Sequence, residues 1–349
     1  MLGCHSASCH GLRRVERAGS THTIITAKTT GSETISSETI TLAHISDVHL
    51  APLPALGLRH LNFKRGLGYL NWQRSRKHTH SRFALDLIVA DALRHEPDHI
   101  AVTGDLINLG LPAEYEAATA WLGSVGSPER VTVVPGNHDI YTTLRNDPGV
   151  ARWADYMQAD AWGQRFSSDA TARVAGLPFP FVRRVGPVAL IGVNSAVETP
   201  PFVAAGEVGE AQRKALADLL SQLGSEGLIR VVLIHHPPLL DQAPPRRGLR
   251  DAHALSRVLA EHGAELVLHG HNHCDSHMDF ARLPDVGGSI PVIGVASGSM
   301  ARTHKNEPLG RYNLLHIGRV DGRAHIECVT RGLTEDGEGV AQIDRKLVT

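Results

Sequence analysis

Cysteine is scarce in this sequence: four in 349 residues, at Cys4, Cys9, Cys274 and Cys328. They show neither the paired spacing of a disulfide framework nor the CxxC repeat of a thiolate zinc site. The stretch "CHSASCH" has metal-like residue types but no structural pattern around it, and reads as incidental. Free thiols in a reducing compartment are the expectation, with a cytoplasmic location. Long apolar runs are also missing, since nothing approaches the ~20 residues needed to span a bilayer. Arg13, Arg14 and Arg17 are not followed by the apolar core of a secretory signal. Charge of one sign is missing too: 35 Lys and Arg face 36 Asp and Glu, a net charge of −1. Whole-protein attraction to nucleic acid or to an anionic membrane is therefore not expected. Aromatics are few, with 5 Tyr and 4 Trp, whereas histidine is abundant at 22. Histidine is the commonest metal ligand and the usual acid–base group near neutral pH, so its clusters repay a search.

Residues 1–39 are rich in Ser, Thr and Gly and read as a disordered leader. Their basic, hydroxyl-rich make-up is similar to a transit peptide, against which Glu16, Glu33 and Glu38 weigh. From residue 40 short apolar runs recur, each closing in a turn residue or histidine: Leu42–Ile45, His99–Thr103, Val131–Val134, Val188–Val193, Val231–Ile234 and Leu266–Leu268. Such runs read as buried strands. Helical patterns lie between several of them. Ser81 is placed to cap a helix whose stripe is Leu85, Ile88, Val89, Ala92 and Leu93. Pro112–Leu122, Glu207–Leu223 and Asp251–His262 are further helix candidates. The second half adds a hairpin turning at Gly186-Pro187 and then strands without helices, in "IPVIGVASGS", "RYNLLHIG" and "AHIECVT". Two mixed sheets flanked by helices, an α/β/β/α sandwich, accommodate both behaviours. The expected organisation is a single domain over 40–349.

Within it, Ala51–His80 stands apart. Arg59, His60, Lys64, Arg65, Arg74, Arg76, Lys77, His78 and His80 interleave there with Phe63, Tyr69 and Trp72. Two readings stay open: a solvated insertion loop, or a basic cap over the site that recognises an anionic or amphipathic substrate. Basic residues among aromatics also suit single-stranded nucleic acid, but one short segment does not overturn the charge argument.

The chemistry-bearing residues all follow apolar strands. "HISDVHL" carries Asp47 and His49, "VTGDLIN" Asp105, "VVPGNHD" Asn137 and His138, "VVLIHHPP" His235 and His236, and "VLHGHNHC" His271 and His273. In an extended chain, residues two apart point to one face, so Asp47 with His49, and His271 with His273, are expected to converge in pairs. Functional groups in α/β sheets gather at carboxyl strand ends, so these segments are expected to meet. Imidazole and carboxylate donors without thiolate suit Mn, Fe, Zn or Co. Few carboxylates among neutral donors would leave bound divalent ions with an excess of positive charge, which attracts phosphate and acidifies water.

Singly each motif is weak, but the ordered set D-x-H, GD-x-x-N, GNHD, a histidine after an apolar run, and GH-x-H resembles the calcineurin-like metallophosphoesterase superfamily over residues 41–275. The resemblance implies a dinuclear metal-dependent phosphoesterase acting through a metal-activated hydroxide, with a small phosphate ester, such as a nucleotide, as substrate. It implies that Asp47, His49, Asp105 and His273 hold one metal. The shared Asp105 with Asn137, His235 and His271 would hold the second. His235 is chosen over His236 because the first residue past the strand matches the pattern. His138 is expected to protonate the leaving oxygen, or else to steady Asp105; Asn108 is expected to position. His44 and His269 read as packed strand residues, and Cys274 as turned away from the metals. Asp139, His304, Arg246 and Arg247 stay open. The sequence looks similar to bacterial enzymes near the cyclic-nucleotide phosphodiesterase branch. A related branch, cleaving the pyrophosphate of a UDP-linked acylated sugar, is the alternative. Superfamily members that lost ligands became binding modules; every ligand position is filled here, which argues against that class.

Overall fold

In the computed structural model, residues 38–57, 60–74, 76–142, 147–167, 172–284 and 287–349 are described. The leader expected over 1–39 falls, up to residue 37, outside them.

Two six-stranded sheets dominate the fold. In the first, β1 (Ile40–Ile45) lies parallel to β2 (His99–Val102), which lies parallel to β3 (Val131–Val133). On its other side β1 pairs antiparallel with β12 (Arg311–Val320), followed by β13 (Arg323–Leu333) and β14 (Val340–Leu347). In the second, β7 (Val188–Gly192), β8 (Ile229–Leu233), β9 (Leu266–His269) and β11 (Ser289–Gly294) run parallel, with β6 (Phe181–Val185) and β10 (Ser276–Ala281) antiparallel at the edges. A small hairpin, β4 (Ala172–Val174) and β5 (Leu177–Phe179), stands apart from both. Among the described residues no helix is long and apolar enough to cross a membrane.

The layering follows from apolar residues on both faces of the central strands, as expected for strands buried on two sides. Ile40 and Leu42 of β1 meet Ile229, Val231, Leu233, Leu266 and Leu268 between the sheets. Ala43 and Ile45, on the opposite parity, pack outward with Leu85, Ile88 and Ala92 of α2 (Arg82–Arg94) and with Ala118 and Leu122 of α3 (Pro112–Val125). Val232 and Val267 likewise point outward, to the core shared with α4 (Glu210–Ser225) and α5 (Ala252–His262). The result is the expected α/β/β/α order.

Several details depart from expectation. Ser81 takes the extended backbone of an N-cap but its side chain makes no cap hydrogen bond, and Leu93, expected on the buried stripe, is 38% exposed. Strands β10 and β14 were not expected; half of the residues in each are polar, and most are exposed. The segment 51–80 is not a plain loop. It contains α1 (Phe63–Arg74) and a 3-10 turn, Arg76–His78. Helix α1 has two glycines, and its short apolar stripe, Phe63, Leu67 and Leu70, is not buried, with Phe63 76% and Leu70 51% exposed. It is held by cations instead. Buried Arg65 donates to the carbonyls of His60, Leu109 and Gly110, and Lys64 to those of Tyr141 and Thr199.

Candidate metal centre

The loops that leave β1, β2, β3, β8 and β9 meet at one end of the two sheets. The first two zip together through their backbones: Asp47 N–H donates to Gly104 O (3.0 Å), His49 N–H to Asp105 O (2.9 Å) and Leu50 N–H to Leu106 O (2.9 Å). The convergence does not arise from strand alternation, as the two-residue spacing suggested. Asp47, His49, Asp105, His271 and His273 all have φ between 39° and 69°. Non-glycine residues there cost on the order of 1–3 kcal/mol each and persist only where the surroundings over-determine them. Here the surroundings are the zipped loops and, for His271, an N–H bond to Asp47 Oδ2 of 2.9 Å.

All seven expected ligand residues are buried and face one another. Two imidazole pairs stand out: His49 Nε2 lies 3.2 Å from His273 Nε2, and His235 Nε2 lies 3.3 Å from His271 Nδ1. Asp105 Oδ2 sits between them, 3.8 Å from His49 Nε2 and 3.5 Å from His235 Nε2. Asp47 Oδ1 is 3.2 Å from His273 Nε2, and Asn137 Oδ1 is 3.2 Å from His235 Nε2.

Three observations fit this donor set to metal ions. Two donors each about 2.1 Å from a common ion and roughly at right angles lie about 3 Å apart, close to the spacing of both imidazole pairs. The tautomers are fixed from behind: His49 Nδ1–H donates to Ile107 O and His235 Nδ1–H to Thr103 O, leaving each Nε2 lone pair facing inward. His271 Nε2 is buried without a hydrogen-bond partner, and Asp47 Oδ1 has only the His273 ring nitrogen beside it, which is costly unless something else satisfies them. Burial disfavours imidazolium, yet Asp105 beside His235 and Asp47 beside His273 raise both to about 9. Burial lowers His49 and His271 instead, so the pull on positive charge is local to the two carboxylates.

His236 faces elsewhere. Its Nδ1 accepts from Ser195 Oγ (2.8 Å) and its Nε2–H donates to Ala204 O (3.1 Å), so neither nitrogen is free for the cluster. His138 donates its backbone N–H to Asp105 Oδ1 (2.7 Å) and its Nδ1–H to Asn108 O (2.6 Å). Its Nε2 accepts from Arg76 Nη1 at 3.0 Å. Burial first, and then the Arg76 charge, lowers His138 to about 4. Asn108 Nδ2 donates to Leu50 O, tying its loop to the β1 loop. His44 Nε2 contacts Thr103 Oγ1 (2.9 Å), and His269 Nδ1–H donates to Gly270 O (3.0 Å), in keeping with packed strand residues.

Sequence reasoning missed four supports. Asp139 accepts N–H bonds from Asp105, Leu106, Ile107 and Gly136, fixing the loop that presents Asp105; the GNHD motif contained it, but nothing in its spacing assigned the role. Buried Glu114 similarly accepts from Asn108, Leu109 and Leu111. Glu307 faces His273 Nδ1 at 3.4 Å, and no sequence signal marked it. His80, at the end of the basic segment, joins His49 and His273 in a group whose donor atoms lie within 4.8 Å of one another, while its Nδ1 contacts Ser299 Oγ. His304 meets Glu307 through its backbone. Arg247 donates to His271 O (3.0 Å), whereas Arg246 is exposed.

Over the cluster opens a cavity of about 570 Å³, reaching Asp105, Asn137, His138, His271 and His273 on its floor. Lys64, Arg74, Arg76 and Arg247 supply cations to its walls; Leu67, Leu70 and Phe202 add apolar surface.

A sequence profile described as calcineurin-like phosphoesterase matches residues 40–275. A cAMP/cGMP dual specificity phosphodiesterase of Mycobacterium tuberculosis is 30% identical over 235 residues, 63% of this chain and 63% of that protein. A probable cyclic nucleotide phosphodiesterase of Synechococcus is 24% identical over 238 residues, 67% of this chain and 74% of that protein. The match therefore spans less than two thirds of the mycobacterial relative's length. Among solved structures, a dimetal phosphatase from Danio rerio superposes with a TM-score of 0.57 at 14% identity, covering 89% of this chain and 98% of that one. That likeness concerns the fold.

Proposed function

Because the chain belongs to the calcineurin-like phosphoesterase family, we propose that it is a two-metal hydrolase of small-molecule phosphate esters, with diesters preferred. The observation that carries this reading is the pair of facing imidazole couples flanking Asp105 Oδ2, with that oxygen within 3.8 Å of His49 and 3.5 Å of His235. In the proposed assignment Asp47, His49, Asp105 and His273 hold one ion, and Asp105, Asn137, His235 and His271 hold the other. Mn, Fe, Zn and Co are the metals such donors suit. When bound, the pair would supply Lewis acidity toward phosphoryl oxygens and an activated water.

The chain's own residues have separable tasks in this reading. Asp105 would serve as a ligand to both ions, and the Asp139 cradle holds its backbone. His138 lies on the cavity side of Asp105, where a leaving oxygen would depart. The cationic wall orients the ester before bond cleavage. The diester preference rests on the named relatives, one a cAMP/cGMP dual specificity phosphodiesterase and the other a probable cyclic nucleotide phosphodiesterase. The apolar wall at Leu67, Leu70 and Phe202 supports a second reading, cleavage of a diphosphate in an acylated sugar nucleotide. The proposal extends to a single domain over 40–349 and to a cytoplasmic setting, where the described cysteines, Cys274 and Cys328, stay free.

The test is hydrolysis of an aryl phosphodiester and an aryl phosphomonoester by Mn-loaded protein, with a chelator control. Chelator-sensitive turnover favouring the diester is expected, and it should vanish in Asp105→Ala and Asn137→Ala. Full activity in either variant would overturn the two-metal assignment. Metal bound without turnover of either ester would favour a binding module.

A further inference from the structure

Arg76 belongs to none of the family motifs and sits in the basic segment outside them, yet its guanidinium reaches the heart of the cavity. It lines the same space as Asp105, Asn137 and His138 and donates from Nη1 to His138 Nε2 at 3.0 Å. That is one donor of five. Among the described residues, no carboxylate stands within ion-pair distance of it, whereas Arg94, Arg230, Arg331 and Arg345 all have such partners. Surrounding groups strip much of its hydration, and this desolvation lowers its pKa even though Asp105 and Glu307 act in the other direction. A guanidinium stays charged in such a setting, and a desolvated charge without an anion is costly unless an anion arrives.

Its placement is also fixed from both sides. On one side α1 is pinned by Arg65 and Lys64 to carbonyls of the loops that form the site. On the other, Arg76 O accepts the N–H groups of Thr79 and His80, and His80 is tied to Ser299 and bridged to Met300. A long side chain held this way loses little further freedom on meeting a ligand. Its planar fork of donors matches phosphoryl oxygens.

We infer that Arg76 contacts the phosphoryl group of the substrate beside His138, supplying a fixed positive charge there from outside the metal ligand set. The inference rests on the phosphoesterase reading for its substrate class. It makes Arg76 a catalytic residue delivered by the 51–80 segment, which explains why that segment is basic and why it is anchored so firmly.

The test compares wild type with Arg76→Ala, Arg76→Gln and Arg76→Lys. Metal content, inorganic phosphate affinity by calorimetry on the metal-loaded protein, and kcat and KM for the diester are each measured. Glutamine can keep a hydrogen bond to His138 but carries no charge. Expected are unchanged metal content, phosphate affinity lower by at least about tenfold in Ala and Gln, partial recovery in Lys, and a parallel fall in kcat/KM. Phosphate binding as tight as wild type in Ala or Gln overturns the inference. Recovery by Gln as complete as by Lys also overturns it, by leaving Arg76 only a role in holding His138. Should wild type bind phosphate through Arg76 yet hydrolyse no ester, the anion contact stands and the phosphoesterase reading falls. If the Ala variant fails to fold, judged by circular dichroism, the Gln and Lys pair decides.

Discussion

The floor and the cap of this cavity are built by opposite means. The floor consists of loops leaving five strands, with five non-glycine residues in the left-handed region held by backbone bonds between loops. The cap, 60–80, has ordinary helical backbone in α1 and is held by cationic side chains reaching backbone carbonyls. The floor thus spends conformational strain on ligand geometry, and neighbouring loops over-determine it. The cap depends on a few side chains that could be lost singly. Floor changes should therefore abolish chemistry, and cap changes should alter substrate handling.

The largest effect is expected on the floor at a pair of neighbours. His235→Ala removes an inward-facing donor, so kcat should drop by about a thousandfold or more, with loss of bound metal. His236→Asn, whose neighbour bonds run to Ser195 and Ala204, should leave metal content near wild type. Equal metal loss in both, measured by elemental analysis, would erase the distinction drawn between them. Next comes Gly136→Ala. A Cβ at Gly136 would stand 2.5 Å from Asp105 N and closer still to its carboxylate. No flexible neighbour can yield there, so Asp105 must move, and activity should fall by roughly a hundredfold. Near-normal kcat would mean that the loop tolerates a shift of Asp105.

The same contrast explains what could be read without coordinates. Floor residues announce themselves because each follows an apolar run, with a glycine between in "VTGDLIN", "VVPGNHD" and "VLHGHNH". Even so, the reason given for the two-residue spacing was wrong: left-handed turns, rather than strand alternation, aim Asp47, His49, His271 and His273. The sheets were legible where strands are apolar on both faces, as in β1, β8 and β9, and illegible where exposure lets polar residues interrupt the apolar run, as in β10 and β14. The cap has only a short apolar period, Phe63, Leu67 and Leu70, which is interrupted by Gly66 and Gly68 and marks no buried face. Its anchors are charge-to-carbonyl bonds across 45 residues in the case of Arg65 and Gly110, and no local pattern encodes those. Glu307 escaped for the same reason, since only the fold brings it to His273.

A change in the frame beneath both regions should alter stability without touching either function. Asp91, on α2 just beyond the cap, accepts from Tyr312 Oη (2.7 Å) and from Arg331 Nε (2.6 Å) and pairs with Arg94. Burial works against its ionisation, but Arg331 and Tyr312 hold the carboxyl below its usual range. A depressed folded pKa gives stability that is present above the unfolded value, about 4, and lost as pH falls through the folded value. Asp91→Asn should cost about 3 kcal/mol at neutral pH, with metal content and KM unchanged. The gap in thermal stability between wild type and Asp91→Asn should narrow below about pH 4. A gap independent of pH would mean that the charge of Asp91 is not what ties α2 to β12 and β13.

The smallest effect, and the one that isolates the cap, concerns Arg65. It contacts no part of the metal cluster, yet two of its three bonds seat α1 against the loop that carries Asn108, and the third holds His60 of the cap itself. Arg65→Met keeps much of the side-chain bulk and leaves the carbonyls of Leu109 and Gly110 without their donor. The expected cost is about 1–3 kcal/mol, taken mostly by the cap, because the floor keeps its own Asp139 and Glu114 cradles. Amide exchange should therefore accelerate across 60–80 while staying slow in the β1 and β2 loops. A cap less often in place lowers the population of the binding-competent form, so KM should rise several-fold with kcat changing less. Faster exchange spreading into the β1 and β2 loops, together with metal loss, would show that floor and cap are a single cooperative unit. In that case the anchoring cations serve the metal ligands as well as the substrate.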